Sequence, residues 1–395
     1  MVLTFFMDGV KYDMMKECMP FLSSLNNRPL LSEFGYSCAC HATMYTGKHI
    51  EEHGTWFIWK KGNNSPYKWI DKVPLLKYMN ILPLKYFLAK VTNKLSGNTS
   101  YSGIPCLVNL PLKYWSMFEP SDIVMWNDPN WKKDIPNLFT ILNEYEIPNK
   151  VVALHKRTKA DDAFIESKNI DFENTEFVYY FIGYTDNMMH SYGEGKESKE
   201  YFNKVDDFIK SEYEKAKAKN EDVTVIAFSD HGHINISNPK ININDYFKGN
   251  KRVNDYVHLI ESNYARFWFR AESEKKEILE VVNNMTTQGL GFIIDDAVKS
   301  KYHLNMNPDE QGELIFYLAP PHEFTNTIWG FGNTVVSGHG FEPTHPKHYG
   351  IFCANKTIDK DCQFVSLIDI LPTILAEFAI PQKYNLCGKV LLKKR

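Results

Sequence analysis

Five short runs of the chain are apolar without alternation: VLTFFM at 2–7, VVAL at 151–154, FVYYFIGY at 177–184, VTVIAFS at 223–229 and YGIFCA at 349–354. Strands with both faces buried read this way, because neither side of the pleat meets water, and parallel sheets are built from them. Between the runs the period changes. KESKEYFNKVDDFIKSEYEKAKAKN at 196–220 sets Tyr201, Val205, Phe208, Ile209 and Tyr213 on one stripe of an amphipathic helix. VSLIDILPTILAEFA at 365–379 predicts another helix, kinked or begun near Pro372, since proline cannot donate inside a helix. Strands alternating with helices predict an α/β fold: a mostly parallel central sheet with helices on both faces.

Two stretches interrupt the alternation. Residues 59–133 are dense in Trp, Tyr, Phe and Pro and predict a cap inserted over the ligand edge of the sheet. Residues 241–329 hold YARFWFR, the helix-like SEKKEILEVVNNM, GLGFIID and GELIFYLAP, which predict a small α/β insertion. The core is then 1–58, 134–240 and 330–395. Aromatics of the cap region, such as Trp56 and Trp59, have two readings: packing inside a lid, or stacking on a substrate's base or sugar. VPLLKYMNILPLKYFLAKV at 73–91 mixes lysines with Leu, Tyr and Phe and has a third reading, a surface resting on a membrane, although its two prolines break the helical stripe.

The 395 residues, 44% of them hydrophobic, suffice for one elaborated domain or two to three smaller ones. A net charge of −3 offers no basic field for a nucleic-acid polymer. Seven cysteines, an odd number without CxxC spacing, fit a reducing compartment better than a disulfide framework. The start, MVLTFFMDGV, lacks a basic region and a cleavage site, and no segment reaches ~18 uninterrupted apolar residues. A soluble, cytoplasmic protein is the expectation.

Three of the predicted strands end on an acid: Asp8, Asp186 and Asp230. Ligand sites of open α/β sheets lie beyond the carboxyl ends of the strands, so the three acids should converge. In YTDNMMHSYG, Asp186 and His190 stand four residues apart and share a side if the segment is helical. FSDHGH adds Asp230 and His231, SGHGF adds His339, and GYSCACHATMYTGKHIEEHG contains Ser37. Asp and His at roughly three per ion suit two borderline divalent cations such as Zn²⁺. Two such ions clamp the attacking and leaving oxygens of a displacement at phosphorus. A serine beside them would lose its proton readily and act as nucleophile, and a helix start after Ser37 would offer N–H groups to a phosphoryl oxygen.

Each residue taken singly has a plainer reading. A strand-end Asp often caps a helix, and His231 could be a satisfied loop histidine. Cys38 and Cys40 read as small buried hydrophobes rather than a reactive pair. Thr43 and Thr46 are rival hydroxyls in the same loop. His41, His49, His53 and His233 stand between structural roles and support of the ligands.

The set DGV, TGKHIEEHG, DNMMHSYG, SDHG, GHGF and LIDILPTIL, in that order, resembles the alkaline phosphatase superfamily, and within it the type I phosphodiesterase/nucleotide pyrophosphatase branch. The resemblance spans roughly 1–58, 134–240 and 330–390. It implies an alkaline-phosphatase-like core holding two divalent ions, zinc or alternatively manganese. Asp186, His190 and His339 would hold one; Asp8, Asp230 and His231 the other, with Ser37 bridging toward it as nucleophile. The implied activity is hydrolysis of a small-molecule, glycan-linked or lipid-linked phosphate ester through a phosphoseryl intermediate. Transfer to an alcohol, as in a phosphotransferase or phosphomutase, is the alternative; an inactive binding scaffold is a third reading, against which the complete ligand set speaks. Two departures stand out. Ile58 occupies the place of the branch's phosphate-binding Asn, with Asn63 or Asn64 as substitutes, and Ser37 stands where many diesterases have Thr. Sulfatases need Pro and Arg where Ala39 and His41 stand. Nothing in the sequence bears on oligomeric state.

Overall fold

All six residues of the run 2–7 are buried, and they form an interior strand of a seven-stranded sheet. The computed structural model describes residues 1–100, 107–155, 158–325, 327–328, 335–381 and 383–393; Cys106 and the core boundary at 330 lie outside them. The chain separates into two compact units, Met1–His53 with Met125–Asn235 and Val335–Arg395, and Gly54–Val124 with Ile236–Thr334.

The first unit holds the large sheet. Its strands in chain order are β1 (Val2–Met7), β2 (Asn26–Leu31), β3 (Asn149–Val152), β4 (Phe177–Ile182), β5 (Thr224–Phe228), β6 (Gly350–Ala354) and β7 (Val365–Ser366). They lie in the order β7-β2-β6-β5-β1-β4-β3. β1 pairs in parallel with β4 and β5, and β3 with β4. The mostly parallel sheet is as expected, with one correction: β6, read as a parallel strand, runs antiparallel to both β5 and β2. An unbroken apolar run reports burial on both faces, and direction leaves no mark in it.

Residues alternate between the two faces of the sheet. Leu3, Phe5 and Met7 join a core cluster with Val178, Tyr180, Val205 and Ile209, where Phe5 stacks on Tyr180 at 4.4 Å. Phe6 points the other way and meets His41 edge-on at 5.0 Å. That second face is covered by α1 (Ser37–Thr46), which ends on left-handed Gly47 at φ 61. The first face is covered in part by α3 (Lys196–Lys217), whose buried line is Phe202, Val205, Ile209 and Ala216, with Tyr201, Phe208 and Tyr213 only half-buried at its margin. Asp206 is buried within that line because its carboxylate accepts the N–H groups of Phe21 and Leu22 at 2.7 and 3.0 Å. In the segment read as a helix over 365–379, residues 365–366 are edge strand β7, and α4 spans Ile370–Glu377. Pro372 falls in its first turn, where a missing N–H breaks no bond.

The second unit contains a four-stranded antiparallel sheet of Gly291–Ile293, Leu314–Leu318, Tyr264–Trp268 and Val257–Ile260, in that order. The helix Glu272–Thr287 packs on it through Ile278, Val282 and Met285. A second apolar cluster of the unit gathers Trp59, Tyr67, Leu107, Trp115 and Phe118 with Trp268.

Candidate active site

β1, β4 and β5 are adjacent and parallel, so their carboxyl ends open on one edge. Asp8 follows β1 directly, Asp230 comes two residues after β5, and Asp186 stands in the first turn of α2 (Tyr184–Tyr192) after β4. The backbone between them is tightly drawn. Thr185 Oγ1 donates to the Asp8 carbonyl at 2.6 Å, and Gly9 N donates to Asp230 Oδ1 at 3.1 Å. Gly9 has a left-handed φ of +67, and a Cβ there would lie 2.7 Å from His233 Nε2 and 3.1 Å from Asp186 Oδ1. His339 follows the two-residue strand Ser337–Gly338, which pairs with Ile234–Asn235 just beyond His233.

The sequence-derived residues come together. Around one imidazole nitrogen, His231 Nε2, stand Ser37 Oγ at 3.1 Å, Asp230 Oδ2 at 3.2 Å and Asp8 Oδ1 at 3.6 Å. Around Asp186 stand His233 Nε2 at 2.9 Å, His190 Nε2 at 3.3 Å and His339 Nε2 at 3.7 Å. Asp8, Asp230 and His231 offer donor atoms all within 4.8 Å of one another, and so do Asp186, His190 and His233, and Asp186, His231 and His339. The ring of His231 stacks on that of His339 at 3.9 Å. The hydrogen bonds fix the ring orientation: His190 Nδ1 lies 2.8 Å from the Ser337 carbonyl, so that nitrogen donates there and Nε2 is the one turned toward Asp186.

The electrostatics call for a cation. Burial raises the Asp8 carboxyl well above its usual range, and the neighbouring Asp230 and Asp186 add to it. Burial likewise pushes Asp230 up to about 8, with Asp186 contributing. For Asp186 burial also acts upward, but His190, His233 and His339 outweigh it and hold the carboxyl well below the ordinary value. Among the described residues, every ion pair of these three acids is with a histidine. The histidines themselves resist protonation: burial, then His233, takes His231 down to about 3, and burial, then His231, lowers His339. Asp8 Oδ1 and Asp230 Oδ2 are buried without a hydrogen-bond partner. Clustered carboxylates with neutral imidazoles and orphaned oxygens fit divalent cations, which would supply the missing positive charge and draw the protons off.

Ser37 is the first residue of α1, preceded by extended Tyr36, so its hydroxyl and the helix start face the same place. Its rivals point elsewhere. Thr43 Oγ1 bonds His53 Nε2 at 3.0 Å, and Thr46 Oγ1 donates to the Ala42 carbonyl at 2.6 Å, all of them buried. Cys40 is buried and Cys38 partly so, and none of the six described cysteines is disulfide-bonded to another of them. His41 is buried 3.9 Å from Asp230 Oδ2 and packs on Trp126 at 4.0 Å. His49 lies apart, beside Glu52 and Cys387. Trp56 and Trp59 belong to the second unit, 1% and 0% exposed, and Ile58 packs half-buried against its apolar cluster. Asn63 and Asn64 are exposed in that unit.

His233 is the residue that sequence reasoning undervalued. Its Nδ1 lies 3.2 Å from Ser337 Oγ, whose hydroxyl donates at 2.6 Å to the Met189 carbonyl, so Ser337 can only accept and His233 Nδ1 must donate. Nε2 is then the nitrogen presented to Asp186. The available signal was its place two residues after His231 in DHGH.

A sheet of this order with acids and histidines at its carboxyl edge defines an alkaline-phosphatase-like α/β protein. An inactive variant of murine ectonucleotide pyrophosphatase/phosphodiesterase 5, solved in complex with AMP, superimposes with a TM-score of 0.63 at 14% identity, covering 96% of this chain and 95% of that one. The human ectonucleotide pyrophosphatase/phosphodiesterase 5 gives 0.60 at 11% identity over 100% and 97%. Residues 2–342 match the type I phosphodiesterase / nucleotide pyrophosphatase family, and the chain belongs to it. A comparison with curated proteins found no match.

Proposed function

We propose that the chain is a phosphodiesterase or pyrophosphatase dependent on two divalent cations, zinc in the first instance, with Ser37 as nucleophile. The observation that carries this is the convergence of Ser37, Asp8, Asp230 and His231 around a single point, with Asp186, His190, His233 and His339 beside it. Asp8, Asp230 and His231 would hold one ion; Asp186, His190 and His339 the other, with His233 completing the donor set. Bound there, the ions supply Lewis-acid charge to a phosphoryl oxygen and lower the pKa of a neighbouring hydroxyl. The chain's part is positional. Ser37 directs Oγ at phosphorus in line with the leaving oxygen; the start of α1 offers N–H groups to a phosphoryl oxygen; the phosphoseryl ester is then hydrolysed by water. A nucleotide-like phosphodiester is the favoured substrate class, because the murine neighbour binds AMP on the same fold.

The test is a panel of phosphomonoesters, phosphodiesters and nucleotide sugars with Zn²⁺ or Mn²⁺, an alcohol acceptor included to reveal transfer. Diester cleavage should vanish on exhaustive chelation and return with the metal. Acid quench and peptide mapping should find on Ser37 a phosphoryl group that still carries the ester substituent the diester retains once its leaving alcohol has gone. Ser37→Ala should lose the adduct and reduce kcat by about a thousandfold or more, and Ser37→Thr should keep part of the rate. Full activity after chelation, or the adduct on Thr43 or Thr46, would overturn the reading.

A further inference from the structure

We propose that the face built by residues 71–95 of the second unit docks on a lipid bilayer carrying anionic headgroups. The prolines that break the sequence pattern do not break the surface. Pro83 sits in the first turn of the helix Leu82–Leu95, where a proline is tolerated. This helix buries one side only. Leu88 and Ala89 enter the apolar cluster around Trp59 and Trp115, and Lys85 turns inward to donate to the carbonyls of Val108 and Leu110, 3.0 Å each. The other side and the turn before it leave Leu75, Tyr78, Ile81, Phe87 and Leu95 in solvent, Leu75 80% and Leu95 78% exposed. Leu95 also lines a cavity of about 700 Å³ together with Trp69, Val91 and Ile123, so the apolar surface continues inward. Single exposed leucines are ordinary; a concentration of large ones marks a contact surface.

Charge identifies what is contacted. Over 68–95 the chain carries Lys68, Lys72, Lys77, Lys90 and Lys94 at exposed or half-exposed positions, against one acid, Asp71, within a protein of net charge −3. Leucines and aromatic rings ringed by lysines match the interface of an anionic bilayer: the apolar groups enter the acyl boundary, and the ammonium groups reach back to phosphates. Each lysine near such a surface improves partitioning about fivefold. A second copy of the chain is a poor occupant, since a two-fold contact through this face would set the same lysines against each other. Among the described residues no helix is long and apolar enough to cross a membrane, so the contact is peripheral. The inference is independent of the metal site.

The experiment is co-sedimentation of the full chain with phosphatidylcholine vesicles, with and without phosphatidylserine. Binding should require phosphatidylserine and weaken in high salt. Leu75→Asp with Phe87→Asp should lower the bound fraction about tenfold or more. Both side chains are exposed, so the melting curve should not move. Lys72→Glu with Lys90→Glu should abolish the preference for phosphatidylserine. Absence of binding by the unaltered chain, or binding untouched by Leu75→Asp with Phe87→Asp, would overturn the proposal. So would self-association in sedimentation that Leu75→Asp dissolves without any vesicle binding, which would make this face a contact between copies.

Discussion

Both units bury charge completely, and they treat it in opposite ways. In the second unit Arg266 and Glu261 are each fully buried 3.5 Å apart. The guanidinium lies 3.9 Å over the Phe57 ring and donates to the carbonyls of Trp59 at 2.8 Å and Gln311 at 3.2 Å. That charge is matched inside the chain. In the first unit Asp8 and Asp230 are buried too, yet among the described residues their ion-pair partners are all histidines. The difference separates a structural ion pair from a site: where the sequence supplies its own counter-charge the group holds the fold, and where it withholds one the group awaits a ligand.

The contrast can be broken in four ways, in order of expected effect. Asp186→Ala with His190→Ala should abolish diester turnover, a loss of at least about a thousandfold, while circular dichroism and proteolytic resistance of the first unit stay unchanged. Retained turnover would reduce the pair to a helix-turn acid and a surface histidine. Arg266→Met should destabilise the second unit by about 3–5 kcal/mol in denaturant unfolding, because Glu261 is left buried and unpaired, and adding Glu261→Gln should recover much of it. Asp230→Asn should do the reverse in chelated protein, leaving stability unchanged or raised, since it relieves crowding with Asp8.

Third, saturating zinc should stabilise the first unit by about 2.7 kcal/mol at a hundredfold excess over Kd, read as a rise in Tm, and Asp230→Asn should cancel most of that gain. The smallest effect is a pH dependence in the second unit. His258 is buried with Nδ1 3.0 Å from the Tyr256 carbonyl, and burial holds it down at about 4. The unfolded chain takes up that proton near pH ~6.5, so the contribution is fully present above this value and is lost as pH falls toward the folded pKa. By pH 5 the second unit should have lost about 2 kcal/mol through this group, opposed by Glu261, whose carboxyl burial raises to about 7 and which gains stability as pH falls; His258→Gln should therefore raise stability at pH 5 relative to pH 7 by about 2 kcal/mol in melts compared with the unaltered chain.

Local pattern determined much of this protein. A strand buried on both faces is largely apolar, and the first acid after it lies where the chain has left the sheet; that is why Asp8, Asp186 and Asp230 could be read as neighbours from distant parts of the chain. The four-residue spacing of Asp186 and His190 set both on one side of α2 in the same way. What pattern cannot carry is pairing between segments far apart in sequence. β2, NNRPLL, is too polar to announce itself, because it lies next to the edge strand and takes its place through hydrogen bonds to β6. The antiparallel direction of β6 has the same origin. So has the position of His233, an ordinary loop histidine until β4, β5 and Ser337 bring it to Asp186. The two interruptions read at 59–133 and 241–329 fall largely in one unit, Gly54–Val124 with Ile236–Thr334, only in three dimensions, where Trp59 and Trp115 share a cluster with Trp268 and Arg266 binds the Trp59 carbonyl. Hydrophobic periodicity is a property of each segment alone, whereas counter-charges, strand partners and shared cores are properties of pairs, and the pairs exist only once the chain has closed on itself.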